Sequence, residues 1–460
     1  MSRSMLFAAA AVLTLAACGG NEALDPAVGF GSNPTLPEPR ASLFPTVKVA
    51  PAVGWSAGGT PVAAPGFRVA AFATGLDHPR WLYRLPNGDI LVAETNAPPK
   101  PANLDKKAEG GIRGWAQGLF MKKAGARVPS PNRITLLRDA DGDGVAETKT
   151  AFLENLVSPF GMALVGDTLY VANADAVVAF PYQAGQTRIA AAARKIADLP
   201  GQRNHHWTKS LVASADGSRL YVGVGSNSNV GENGLNEEVN RANVLEIDPA
   251  TGATRVYASG LRNPVGMAWQ PQSGALWVSV NERDEIGNDL VPDYMTSVTP
   301  GAHYGWPWSY YGQNIDVRVE PANPAMVARA IRPDYALGAH TASLGLTFYD
   351  GTSFPAAYRG GAFIGQHGSW NRNPPVGYKV IFVPFSGGRP AGPPQDILTG
   401  FLNAGGEAMG RPVGVQTDRT GALLVADDVG NVIWRVASTA PAGAPPAAPA
   451  PGAVPATPGA

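Results

Sequence analysis

Short apolar runs, broken by Gly, Pro, Asn and Asp, recur along the chain in one design. It is read in "LDHPRWLYRLPNGDILVAETN" (76–96), "VSPFGMALVGDTLYVANAD" (157–175) and "NHHWTKSLVASADGSRLYVGVGS" (204–226). It returns in "RNPVGMAWQPQSGALWVSVNE" (262–282), "HTASLGLTFYDGTSF" with "GGAFIGQHG" (340–368), and "GRPVGVQTDRTGALLVADD" (410–428). Each unit has a polar or Pro start, an apolar stretch, a turn, then an alternating strand that ends in or near Asn, Asp, Glu or His. Period-two alternation on both sides of a glycine turn (Gly88, Gly217, Gly274, Gly421) predicts an antiparallel hairpin. Six such hairpins, about 45 to 80 residues apart, predict an all-β, six-bladed β-propeller with four-stranded antiparallel blades. A β-sandwich would not repeat one hairpin design.

Hairpin geometry then predicts a site. Residues leading into the first strand and leaving the second lie at the same end, so six inner hairpins around an axis crowd them at one mouth. The leading set is His78, Arg80, His205, His206, Arg262, Asn263, His340 and Arg411. The trailing set is Glu94, Asn96, Asn173, Asp175, Asn227, Asn281, Glu282, Arg283, His367, Asp427 and Asp428. Five of the chain's six histidines fall in these sets, and a concave polar mouth is the default binding site.

Composition narrows the picture. Lys+Arg and Asp+Glu are balanced at 36 each, so no basic field points to nucleic acid. Residues 1–18 read as a secretory leader. Its end, Leu15-Ala16-Ala17-Cys18, matches a bacterial lipobox and makes Cys18, the only cysteine, the lipidated residue. The protein is thus expected on the periplasm-facing side of the envelope, held to a membrane by its lipid only. Gly19 points to the outer membrane, lacking the aspartate of inner-membrane retention. Residues 19–65 read as a flexible tether, 66–437 as the propeller, and 438–460 as a Pro/Ala-rich disordered tail. In "RDADGDGVAE", Asp139, Asp141 and Asp143 mimic the first half of a calcium loop, but Thr150 stands where a Glu would complete it. A β-turn and a structural calcium site are both open there.

From about residue 66 to 436 the chain resembles the glucose/sorbosone dehydrogenase family, more in its sorbosone dehydrogenase-like branch. "NHHWTKSL", "GLRNPVGMAW", "NERDEIGNDLVPDYM", "GAHYGWPWSYYG", "GQHGSWNR" and "GRPVGV" carry the resemblance. It implies a dehydrogenase that oxidises an aldose or sorbosone-like sugar by hydride transfer to pyrroloquinoline quinone (PQQ), with Ca²⁺. It implies His206 as the base, with His205 orienting it or shaping the pocket. Arg262 would stand beside the quinone oxygen and Asn263 next to it. Arg411 would pair a cofactor carboxylate, and Arg372 would replace a family lysine. The backbone carbonyls of Glu282 and Arg283 would hold calcium. The chain departs from the family at Lys209-Ser210, where Gly-Arg is common, and at Val413, where a second cofactor arginine is common.

Two other readings stand beside this one. A calcium-dependent propeller lactonase would need ligands converging on one axial metal, for which Glu94, Asn173 and Asp427 offer themselves. A non-enzymatic propeller would use the mouth to bind a glycan or a protein. The sugar and the electron acceptor are not specified by the sequence.

Overall fold

The computed structural model describes residues 23–40, 46–99 and 128–439. The leader with Cys18, residues 100–127 of the long insertion in blade 1, and the tail from 440 lie outside the described residues. Six antiparallel sheets form a closed ring, confirming the six-bladed propeller. The inner hairpin of blade 1 is Pro79–Arg84 with Ile90–Glu94, followed outward by Arg133–Arg138 and Thr148–Leu153. The other inner strands begin at Met162, Leu211, Pro264, Ser343 and Pro412. Blade 6 takes its outermost strand, Phe67–Ala73, from the other end of the folded region, paired with Val432–Ser438. This joins the two ends of the folded region in one sheet and closes the ring.

The inner strands meet backbone to backbone. A Cβ on Gly161 would lie 2.2 Å from the Leu211 nitrogen, one on Gly345 2.2 Å from the Val413 carbonyl, and one on Gly414 2.7 Å from the Arg80 carbonyl. Glycine in the repeated "PFGM", "SLGL" and "PVGV" runs therefore permits neighbouring blades to approach at the axis.

Below the mouth the axis is plugged. Trp81, Phe160, Trp207, Val265, Leu344 and Val413 supply one apolar residue from each blade to a single buried cluster. All six blades can meet only at the axis, so this cluster is the floor of a blind mouth. Each fully buried aliphatic or aromatic side chain contributes about 1.5–3 kcal/mol.

The segment expected to be a flexible tether is built into the fold wherever it is described. Phe30–Gly31 adds a fifth strand to blade 4, and Val62–Ala63 adds one to blade 5. Between them, the Lys48 nitrogen donates to the Trp370 carbonyl and the Val53 nitrogen to the Ala408 carbonyl. Trp55 packs edge-on against Phe401 and Trp434, and its Nε1 donates to Asp427 at 2.7 Å. Apolar anchors spaced along a Pro- and Gly-rich strap hold it without helical or strand periodicity, which is why its pattern reads as a linker.

Candidate functional site

The inner strand pairs put both residue sets at one end, as cross-strand partners such as Pro79 with Glu94 and Pro412 with Asp427 show. A register irregularity falls at the mouth in blades 1, 4, 5 and 6. Such bulges re-aim a side chain. In blade 1 the irregularity spans Arg80, and in blade 6 it spans Val413. The arginine that the family carries at Val413 thus has a counterpart one blade away, in Arg80.

Around Arg80 the site is cationic with one strong anion. The Arg80 Nη1 donates to Asp428 at 2.7 Å, and His367 Nε2 sits 2.9 Å from the same carboxylate. Burial alone would raise the Asp428 pKa, but His367, Arg80 and His78 hold it far below the usual carboxylate range. Burial pushes His367 down to about 4, outweighing its partner Asp428, so its ring is neutral at pH 7. Arg411 lies over the Tyr378 ring at 5.0 Å, and its Nη2 donates to the Ala50 carbonyl of the strap at 3.0 Å. Among the described residues no carboxylate lies within ion-pair distance of Arg411. The Nε atoms of both Arg80 and Arg411 are buried without a hydrogen-bond partner. Two buried guanidinium donors without acceptors suit an anionic, carboxylate-bearing ligand.

Across the mouth is the histidine pair. His206 Nδ1 lies 2.8 Å from the Ser226 carbonyl, an acceptor only, which fixes the proton on Nδ1 and leaves Nε2 as the basic nitrogen. No described residue partners Nε2. Burial, then the nearby Arg262, then His205, hold the His206 pKa well below 6.5. The ring is therefore neutral at pH 7. His205 is exposed and meets His206 edge-on, with ring centroids 4.7 Å apart. A Cβ on Gly225 would clash with both Asn263 Oδ1 and His206 Cβ, so this glycine lets the two side chains close on one point.

The loop carrying the pair is tied from below by two buried cations. Arg241 donates to the Pro200, Arg203 and Gly225 carbonyls and to Asn204 Oδ1. Lys209, fully buried, donates to Asn204 Oδ1 and the Trp207 carbonyl at 3.0 Å each. Burial and then Arg241 lower its pKa well below 10.5. Lys209 replaces a family glycine, and the departure serves packing of the loop.

Arg262 stands beside His206, and four of its five N–H groups are engaged. They reach the Asn229 carbonyl and Oδ1, the Asn281 carbonyl, and the Glu282 carbonyl at 2.7 Å. Asp284 is the acidic hub of this side. It takes Asn371 Nδ2 at 2.7 Å and His340 Nδ1 at 3.1 Å, and lies 3.7 Å from Arg262. Asp284 and Arg80 were missing from the predicted ligands. The only sequence signal for them was their place beside the mouth, shared with many other residues.

Three sequence expectations change. Arg372 does not face the mouth's cationic cluster: its guanidinium pairs Asp289 at 2.8 Å and donates to the Leu24, Asn288 and Pro374 carbonyls, anchoring the strap. The Glu282 carbonyl, expected to hold calcium with that of Arg283, accepts from Arg262 instead. The Glu282 and Arg283 side chains turn inward, where Arg283 pairs Glu282 and Asp316, each at 3.1 Å. Glu94 and Asp427 do not converge with Asn173 on an axial metal. Arg133 forks onto Glu94, while Trp55, Trp434 and the Arg411 and Gly430 nitrogens take Asp427. That removes the ligand set of the lactonase reading. Asp139, Asp141 and Asp143 do gather, with Glu147, within 4.8 Å, on the face opposite the mouth. There Asp139 and Asp143 cap backbone nitrogens of their own turn.

Residues 67–369 match the family described as a domain of unknown function, DUF7133. The chain belongs to the DUF7133 family. A TrAA12-like domain also matches residues 320–439 of this DUF7133 chain. An uncharacterized protein of Borreliella burgdorferi is 34% identical over 237 residues, 50% of this chain and 60% of the relative. The aldose sugar dehydrogenase YliI of Escherichia coli is 33% identical over 101 residues, 22% of this chain and 26% of the relative. The matches thus span less than two thirds of these relatives. Among solved structures, the calcium structure of a Trichoderma reesei family AA12 carbohydrate-active enzyme is similar with a TM-score of 0.66 and 20% identity. It covers 86% of this chain and 99% of its own. The holo PQQ domain of Coprinopsis cinerea pyranose dehydrogenase gives 0.65 and 20%, covering 82% and 97%. These relatives uphold the glucose/sorbosone dehydrogenase-like resemblance and the propeller fold of the DUF7133 chain.

Proposed function

We propose that the protein is a PQQ-dependent sugar dehydrogenase acting on an aldose or sorbosone-like pyranose. The observation that carries this reading is a neutral imidazole of fixed tautomer, His206, facing a mouth where the buried Nε donors of Arg80 and Arg411 lack acceptors. Relatives with this fold include an aldose sugar dehydrogenase and a PQQ-dependent pyranose dehydrogenase. When bound, PQQ supplies the carbon that accepts hydride. Arg80 and Arg411 would hold its carboxylates, and Asn263 and the remaining donor of Arg262 would hold its polar edge. His206 Nε2 takes the hydroxyl proton of the sugar as the C–H bond breaks. Its low pKa keeps it ready at neutral pH, while the Ser226 carbonyl steadies the imidazolium that forms.

Calcium belongs to the same reading. The Glu282 and Arg283 carbonyls and the Asp284 carboxylate are the hard oxygen donors of this loop. The Glu282 carbonyl keeps a second lone pair beside the one that accepts from Arg262. We further propose that the chain is anchored by lipid at Cys18 in the cell envelope, facing the periplasm. Membrane fractionation of Cys18→Ser checks this, and a variant that still pellets with the envelope refutes it.

The test of the enzyme is titration of the purified protein with PQQ, with and without Ca²⁺, followed by dye reduction over an aldose and pyranose panel. Dye reduction that requires both PQQ and a sugar supports the dehydrogenase. Saturable sugar binding without PQQ affinity would establish the binding propeller instead.

A further inference from the structure

The strap fixes where the anchor meets the propeller. The Leu24 nitrogen donates to Asp289 Oδ2 at 2.9 Å, and the Leu24 carbonyl accepts from Arg372. Asp289 lies in the loop between Leu276–Val280 and Pro292–Val298, and Arg372 in the loop between Ala362–Gln366 and Lys379–Val383. Both loops join strands at the mouth end. Leu24 is thus pinned to the rim of the mouth. Leu24 stands only six positions after Cys18, so the leash reaches at most about 20 Å when fully extended. A five-residue strand alone is about 17 Å deep. Such a leash is used up before it can pass around the blades to the opposite face.

A second observation has the same polarity. Large apolar side chains exposed on the mouth side include Leu24, Val28, Val47, Val53, Val157 and Val239, the last 67% exposed. All six sit on the strap or on loops at the mouth end of the blades. Among the described residues, the short turns of the opposite face carry one such side chain, Val145, beside Asp139, Asp141, Asp143 and Glu147. The long connection 299–334, which leaves blade 4 at that end and folds back to Arg283 and Asp284 of the mouth loop, carries Ile315, Val317 and Ile331. Exposed aliphatic groups gain by entering a headgroup region. An acidic cluster is repelled by anionic lipid.

We propose that the mouth-side rim, from Leu24 along the strap to the Val239 loop, lies on the lipid surface, so that the mouth opens towards the membrane. The proposal rests on the lipid anchor at Cys18. The partner is a lipid bilayer, and electrons leaving the mouth emerge on its side.

The test uses the lipidated full chain in vesicles containing headgroup-nitroxide lipid. Because Cys18 is the only native cysteine and its sulfur is blocked as a diacylglyceryl thioether in the lipidated chain, single cysteines can be labelled with a fluorophore. Val53→Cys and Val239→Cys report on the rim, and Ser218→Cys reports on the opposite face. The expected result is quenching at positions 53 and 239 several-fold stronger than at 218, with the contrast shrinking when about twenty Gly/Ser residues are inserted after Gly20. Equal quenching, or stronger quenching at 218, overturns the orientation while leaving the anchor in place. Wild-type protein that does not bind vesicles overturns both. Rim labels that are shielded from soluble quencher but not from lipid, in a protein that sediments as a dimer, assign the rim to a second copy and overturn the proposal as well.

Discussion

At the scale of single residues, the histidine pair His205–His206 divides its labour by burial. His206 is tied to Ser226 and kept neutral, whereas His205 is exposed at its edge. His206→Ala is therefore expected to lower turnover roughly 10²–10⁴-fold with PQQ affinity little changed, and His205→Ala to cost less. Steady-state rates at saturating PQQ decide the order. Because only the neutral ring accepts a proton and its pKa is far below 6.5, the rate should be flat across neutral pH and fall only in clear acid. A pH–rate profile that rises through the neutral range would show that another group is the base. Arg80 carries the second residue-scale expectation. Arg80→Ala should weaken PQQ binding about 10-fold or more, since a charged hydrogen bond is worth about 1.5–3 kcal/mol. An unchanged PQQ titration would release Arg80 from the cofactor. Its role was hard to see in the sequence because the family's arginine is sought at Val413, one blade away. Arg80 and Val413 both fall within an irregularity of register that blades 4 and 5 also carry at the mouth.

At the scale of elements, the hairpins were legible because period-two alternation and glycine turns are local signals. The mouth residue sets followed from hairpin geometry alone. The strap was not legible, because its order comes from distant partners: Asp427 for Trp55, Asp289 for Leu24, and Ala408 for Val53. Arg372 was misplaced for the same reason, since its acceptors are a loop and a strap far away in sequence. The inner-strand glycines give a sharp test of how the blades meet. Gly414→Ala places a methyl against the Arg80 carbonyl and Trp81 Cα, and backbone at that distance cannot yield cheaply. Destabilisation of about 1–3 kcal/mol is expected in urea unfolding. An unaltered midpoint would mean that the blades slide apart without cost.

For the whole molecule, acid sensitivity follows from the histidines. Burial lowers His78, His206, His303 and His367, the last two to about 4, so the fold refuses protons that the unfolded chain accepts at pH 6.5. Stability is then complete above pH 6.5 and declines as pH falls towards 4. Asp293, raised to about 6 by burial, Glu238 and Asp427, also raised by burial, and His340, raised by Asp284 despite its burial, act in the opposite sense. Asp284, Asp316 and Asp428, held low by their partners despite burial, add to the loss in acid. Thermal unfolding should show a midpoint that drops between pH 7 and pH 4.5. A midpoint that is constant or rises over that interval would mean that these histidines are charged in the fold.

The closure of blade 6 bears on how the chain reaches its folded state. Phe67–Ala73 is made early and Val432–Ser438 last, yet each completes the other's sheet. A chain that emerges from its N-terminus must carry the first strand unpaired until the final one arrives. For that interval both strand edges are open to any other passing chain. Folding of this chain is thus a race between ring closure and misassembly, and the finishing line is drawn by the last folded strand.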